Sequence, residues 1–232
     1  MIRLQKSGDR RFVRDGALKM WKTFDPANIT DPFQRGFRTL ESFDEVSLPS
    51  GTGFKIHLDA NHDVVTYVRE GELLVRNGPQ GVGPLGPGCF QHSNPQPWMI
   101  SQVPIISPPH ETHLFLSSMI SPPNPSELPN VVKQFPFADR HGRLRLVGSP
   151  EGKNNSLCLG HDIYMYSSFL EKGHHVVHEL HGTRGAWLHV VEGLIRLEKE
   201  NLETGDGASF EEEKAVSFTA HQPSEILLFD LA

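Results

Sequence analysis

Two ten-residue stretches of this 232-residue chain carry one pattern. TYVREGELLV at 66–75 and LHVVEGLIRL at 188–197 each set Glu-Gly between two apolar runs. β-Branched and aromatic residues on both sides of a glycine break read as the strands of a hairpin. The two pairs, Glu70-Gly71 and Glu192-Gly193, stand 122 residues apart, and a glycine-rich turn follows each, at Gly86–Gly88 and at Gly205-Asp206-Gly207. An internal repeat of this kind predicts two β-barrels in tandem.

The rest of the chain agrees with that architecture. The 21 Gly and 18 Pro favour turns and short strands, and no long amphipathic helix is legible. In the first half, residues 1–20 read as a short edge strand and a loop. Residues 21–37 read as an ordered loop, and 37–48 as a strand pair. Residues 78–88 hold five glycines and three prolines, a long loop. SPPNPSELPN at 121–130 reads as a stiff linker, so the domains are set at 1–130 and 131–232. The second half repeats the outline, with strands at 144–147, 156–166, 176–180, 186–191 and 194–199.

Net charge is −6 and no basic run occurs, which argues against a phosphate-neutralising, nucleic-acid-binding surface. Two cysteines, Cys89 and Cys158, make no disulfide framework, and Cys89 reads as a buried small hydrophobe. MIRLQKSGDRRFVRD carries no hydrophobic signal core, and no apolar run approaches membrane-spanning length. The expectation is a soluble cytoplasmic protein, as monomer or dimer. No nucleophile elbow, phosphate loop or dinucleotide fingerprint is present.

Histidine is where chemistry is legible: the chain has 13. His57 and Asp59 are two apart, so on a strand both leave from one face. An imidazole and a carboxylate pointing into a barrel form half of a metal site, or a hydrogen-bonded pair at its mouth. His62, in ANHD, reads as a surface turn residue. His174, His175 and His178 read equally as pocket or solvent-facing residues, and strand alternation sets His178 and His181 on opposite faces.

Gly51, Gly53, Phe54, His57, the run Val65-Thr66-Tyr67-Val68, Glu70-Gly71 and Pro87-Gly88 together resemble the first-barrel signature of the pirin family of bicupin proteins. WKTF at 21–24 and ILLFDL at 226–231 extend the resemblance over most of the chain. It implies an all-β fold of two tandem jelly-roll-like cupin barrels with little helix. It also implies one divalent transition metal (Fe, Ni, Cu or Mn) in the N-terminal barrel. Carried across residue by residue, the four ligand positions of the family fall on His57, Asp59, Ser101 and Val103. The last two lie at fixed spacing after Gly88, and a gap in that loop would bring His92, His110 or His113 inward instead. The general cupin pattern laid from Gly173 gives Glu179, His181 and Ala186, with no histidine near Phe210, so no metal is expected in the C-terminal barrel.

Three functions follow. The first is a bicupin with a degenerate first metal site that binds a small molecule or regulates a protein partner. The second is a metal-dependent, quercetinase-like dioxygenase acting on flavonols or related aromatics, which the resemblance implies. The third is a metal-free isomerase or lyase with Asp59, Asp63 or His57 as its base.

Overall fold

The structure is a computed structural model that describes residues 1–25, 31–56, 62–77, 84–93, 98–102, 111–120 and 131–232. The strands in chain order are β1 (Ile2–Gln5), β2 (Arg11–Asp15), β3 (Leu18–Lys22), β4 (Leu40–Leu48), β5 (Gly53–Ile56), β6 (His62–Glu70), β7 (Leu73–Asn77), β8 (Pro84–Leu85), β9 (Cys89–Ser93), β10 (Trp98–Gln102), β11 (Thr112–Ile120) and β12 (Val131–Gln134). A four-residue helix, α1 (Phe137–Arg140), follows. Then come β13 (Arg145–Ser149), β14 (Leu157–Cys158), β15 (Ile163–Leu170), β16 (His175–Glu179), β17 (Gly185–Glu192), β18 (Leu194–Leu197), β19 (Glu200–Glu203), β20 (Gly207–Phe210), β21 (Ala215–Ala220) and β22 (Ser224–Leu231). No helix is long and apolar enough to cross a membrane among the described residues.

The chain divides into two compact units, 11–135 and a second that joins 1–10 to 136–232. Each unit pairs a seven-stranded sheet with a four-stranded one. In the first the orders are β12-β9-β6-β11-β4-β3-β2 and β5-β10-β7-β8. In the second they are β1-β20-β17-β22-β15-β13-β14 and β16-β21-β18-β19. The all-β bicupin architecture is therefore as the sequence predicts. The predicted division at 130/131 left the first ten residues with the N-terminal barrel. Here β1 instead pairs antiparallel with β20, from Ile2 opposite Phe210 to Gln5 opposite Gly207. A pairing some two hundred residues long in sequence has no local signature.

The Glu-Gly repeat is structural. Glu70 and Glu192 end β6 and β17. The Gly88 N–H donates to the Val68 carbonyl at 2.9 Å, and the Gly205 N–H donates to that of Val190 at 2.8 Å. Each unit closes an apolar core between its two sheets. In the first, Val46, Leu48, Val64, Val68, Leu114 and Leu116 meet Leu73 and Leu85. In the second, Leu188, Val190, Ile226 and Leu228 meet Val176, Ile195, Val216 and Phe218. Leu40–Leu48 form one strand, β4, and Phe37 makes an isolated bridge to Leu40, where a strand pair was expected over 37–48. β2 and β3 form a hairpin where a loop was expected, because β3 has β4 to pair with.

Candidate functional site

Strand register decides which side chains reach the N-terminal core. Alternation along β6 sends Val64 and Val68 into it, and Thr66 between them. Gln91 on β9 stands opposite Thr66, Thr66 opposite Leu116 on β11, Leu116 opposite Asp44 on β4, and Asp44 opposite Lys22 on β3. One row across five strands thus reads Gln91, Thr66, Leu116, Asp44, Lys22. The next row down reads Cys89, Val68, Leu114, Val46, Met20 and is apolar. Gln91 and Thr66 are fully buried and Asp44 nearly so. The Gln91 amide nitrogen and oxygen, Thr66 Oγ1 and Asp44 Oδ1 have no hydrogen-bond partner among the described residues. Lys22 Nζ lies 3.8 Å from Asp44 Oδ2. Burial pushes the Asp44 carboxyl up to about 6, against the pull of Lys22 and with a small push from Asp25. Sequence reading passed over Asp44, because a lone carboxylate in a strand gives no signal of facing inward.

The residues expected to carry chemistry are distributed differently. His57, Asp59, Val103 and His110 lie outside the described residues. Ser101 is on β10, its backbone opposite Gly53 on β5 and Leu74 on β7. Asp63 and His92 are buried on the opposite face of the β6 sheet from the core, with Asp63 Oδ1 3.4 Å from His92 Nε2. Their face is marked by Tyr67 stacked on Phe90 at 4.3 Å. His113 is on that face too. Its Nε2 is 2.8 Å from Glu45 Oε1 and its Nδ1 3.3 Å from Arg69 Nη1. His92 and His113, the described alternatives for a third ligand, are thus turned from the barrel interior. Both faces of β6 are buried, so its sequence offers no polar–apolar alternation to tell them apart. His62 is half-buried and paired with Glu41. Cys89 is a free thiol in the apolar core, as expected.

In the second unit the corresponding row is apolar: Ala208, Leu188, Leu228, with Tyr166 at its end. Ala186, at the position of the cupin glutamate, is fully buried in the core. β16 stops at Glu179, so the alternation that separated His178 from His181 ends there, and both line one cavity. Among the described residues no group of three or more His, Cys, Asp or Glu is arranged to hold a metal ion.

Comparison with known proteins follows these lines. Residues 146–231 match the quercetinase C-terminal cupin domain. The quercetin 2,3-dioxygenase of Escherichia coli K12 is 30% identical over 240 aligned residues, covering all of this chain and 99% of that one. The chain belongs to the pirin family of cupin proteins. The E. coli pirin YhhW, solved in complex with nickel(II), superposes with a TM-score of 0.86 at 29% identity, covering all of this chain and 99% of the other. The E. coli pirin-like protein YhaK is 26% identical over 93% of each chain. The resemblance read from the sequence sets His57, Asp59, Ser101 and Val103 at the family's ligand positions, and of these only the backbone of Ser101 lies among the described residues. A serine hydroxyl is a poor ligand and valine offers no donor, so a donor set of that composition would not fit a four-ligand metal centre.

Proposed function

We propose that this pirin uses its N-terminal barrel to bind a small polar molecule directly with its own side chains, and that coordination of a metal there is vestigial. The carrying observation is the core row of Gln91, Thr66 and Asp44. A buried polar group left without a partner costs about 1–3 kcal/mol, and here four atoms without a partner among the described residues face one barrel interior. A ligand that brings hydroxyl and carbonyl groups satisfies them. Near neutral pH Asp44, titrating at about 6, is largely ionised and accepts a proton or a hydroxyl donor from the ligand. The resemblance sets His57 and Asp59 at two of the family's ligand positions, and an imidazole and a carboxylate are groups that can hydrogen-bond the same ligand. A regulatory role through a protein partner is compatible with this reading and rests on the bound state of the barrel.

A second reading is favoured by the full-length similarity to a quercetin 2,3-dioxygenase: an oxidoreductase acting on flavonols with a divalent ion held by His57 and Asp59. Elemental analysis of protein purified without chelator separates the two, alongside His57→Ala and the double variant Ser101→His/Val103→Glu. The proposal expects far less than one Fe, Ni, Cu or Mn per chain in the natural protein, no quercetin turnover with any of these ions, and metal gained by the double variant. Near one metal per chain that disappears in His57→Ala, with quercetin consumed, overturns the proposal in favour of the dioxygenase.

A further inference from the structure

The mouth of the C-terminal barrel carries a constellation that neither the metal pattern nor the proposed ligand site uses. Tyr164 and Tyr166 on β15, His178 on β16, Arg184 at the entry to β17 and Asp230 on β22 line a cavity of about 560 Å3, with Asp162, Glu179 and His181 at its edge. Asp230 is buried and fully engaged. It accepts from His178 Nε2 at 2.8 Å on one carboxylate oxygen and from Arg184 Nε on the other. Arg184 is spoken for as well: Nη1 donates to Asp162 at 2.6 Å, and Nη2 to the backbone carbonyls of Asp162 and Asp230 at 3.1 and 2.8 Å. Its guanidinium also covers the Tyr164 ring at 5.0 Å.

Two groups in this cavity are left open. With Nε2–H committed to Asp230, a neutral His178 has its lone pair on Nδ1, which meets no partner among the described residues. Beside it stands Tyr166, ring centroids 4.8 Å apart, whose hydroxyl likewise has no partner there. Burial and the nearby Asp230 push the Tyr166 phenol up to about 12, so it is protonated and a donor at every physiological pH. The open acceptor and open donor belong to rings 4.8 Å apart that line one cavity, and a hydroxyl group gives one hydrogen bond and takes another. Three carboxylates, Asp162, Glu179 and Asp230, line the cavity with one guanidinium, Arg184, and two imidazoles, His178 and His181, a balance that disfavours an anion. The flanking surfaces are flat rings, two phenols and an imidazole.

We propose that the C-terminal barrel mouth is a second ligand site, taking a small neutral ring compound whose hydroxyl donates to His178 Nδ1 and accepts from Tyr166. Asp230 and Arg184 act as positioning residues that hold the imidazole tautomer and do not touch the ligand. The site is independent of the N-terminal barrel, so its failure leaves the reading of the core row untouched.

The probe is 4-fluorophenol, followed by fluorine NMR titration of the full chain, with 4-fluorobenzoate as the anionic control. Binding of the phenol and exclusion of the benzoate are expected, with affinity falling about tenfold in His178→Ala and severalfold in Tyr166→Phe, the scale of one lost hydrogen bond. Glu72→Gln, an exposed position in the other unit, leaves the titration unchanged. Tyr166→Phe removes a single oxygen and keeps the ring packing, so it decides the matter if His178→Ala folds poorly. No binding by the natural protein, equal binding of the benzoate, or an unchanged affinity in Tyr166→Phe each overturns the proposal.

Discussion

Asp44 shows how one side chain can hold a barrel's chemistry and burden its stability together. Its carboxyl moves from the ordinary 3.8 to about 6 because folding strips it of water, and the amine of Lys22 at 3.8 Å offsets that loss in part. A raised folded-state value means that the folded chain holds this proton more tightly than the unfolded one. The stabilising contribution is therefore complete below pH 3.8 and disappears as pH rises through 6. The move corresponds to about 3 kcal/mol. Asp44→Asn removes the titration, so the variant and the natural protein have similar stability near pH 4. By pH 7 the variant gains about 2–3 kcal/mol relative to the natural protein. Thermal unfolding of both from pH 4 to 7 checks this, and a difference that does not vary with pH contradicts it. Such a burden, kept in the middle of a core, fits a residue retained for binding.

Among the elements, the two Glu-Gly turns carry the repeat because each glycine is sterically required. Gly71 has φ +76° and Gly193 φ +98°. A Cβ on Gly71 would stand 2.9 Å from the Thr112 Cα, and one on Gly193 2.4 Å from the Pro223 carbonyl oxygen and 2.8 Å from the Ser224 Cα. Thr112 and Ser224 open the equivalent strands β11 and β22, so both units press the same backbone against the same turn. Gly71→Ala and Gly193→Ala should each cost about 2 kcal/mol or more, through left-handed strain plus the clash. Gly173→Ala is the control: its φ is +87°, but a Cβ there meets nothing within 4 Å. It should cost about 1 kcal/mol, the conformational part alone. Denaturant unfolding of the three variants gives the ordering, and equal losses would refute the steric account. The elements also explain which ligand candidates drop out. β6 and β9 are buried on both faces, so His92 lies inside the protein yet outside the barrel, a distinction only strand register draws.

At the scale of the whole molecule, the first strand belongs to the last domain. β1 covers the edge of β20, Ile2 and Leu4 pack on the C-terminal core, and Lys6 Nζ reaches Asp206 at 3.0 Å. Removing residues 1–5 uncovers a sheet edge and loses two apolar side chains. The second unit should lose about 2–4 kcal/mol and gain a tendency to self-associate. Its only tryptophan is Trp187, fully buried, so in a Trp21→Phe/Trp98→Phe background fluorescence follows this unit as denaturant is added, and gel filtration follows association. An unchanged transition would mean that β1 is an ornament of the sheet. The sequence by itself determined the all-β class, the tandem barrels and the family. All of these are written in local patterns: strand periodicity, glycine turns and fixed spacing. Only the tertiary structure decided which face of each doubly buried strand meets the core. That brought Asp44, Thr66 and Gln91 into one row, turned Asp63, His92 and His113 out of it, and joined His178 to Asp230 across fifty-two residues. Those facts depend on register between strands far apart in the chain, and register is fixed by the packing of whole sheets, which no short stretch of residues encodes.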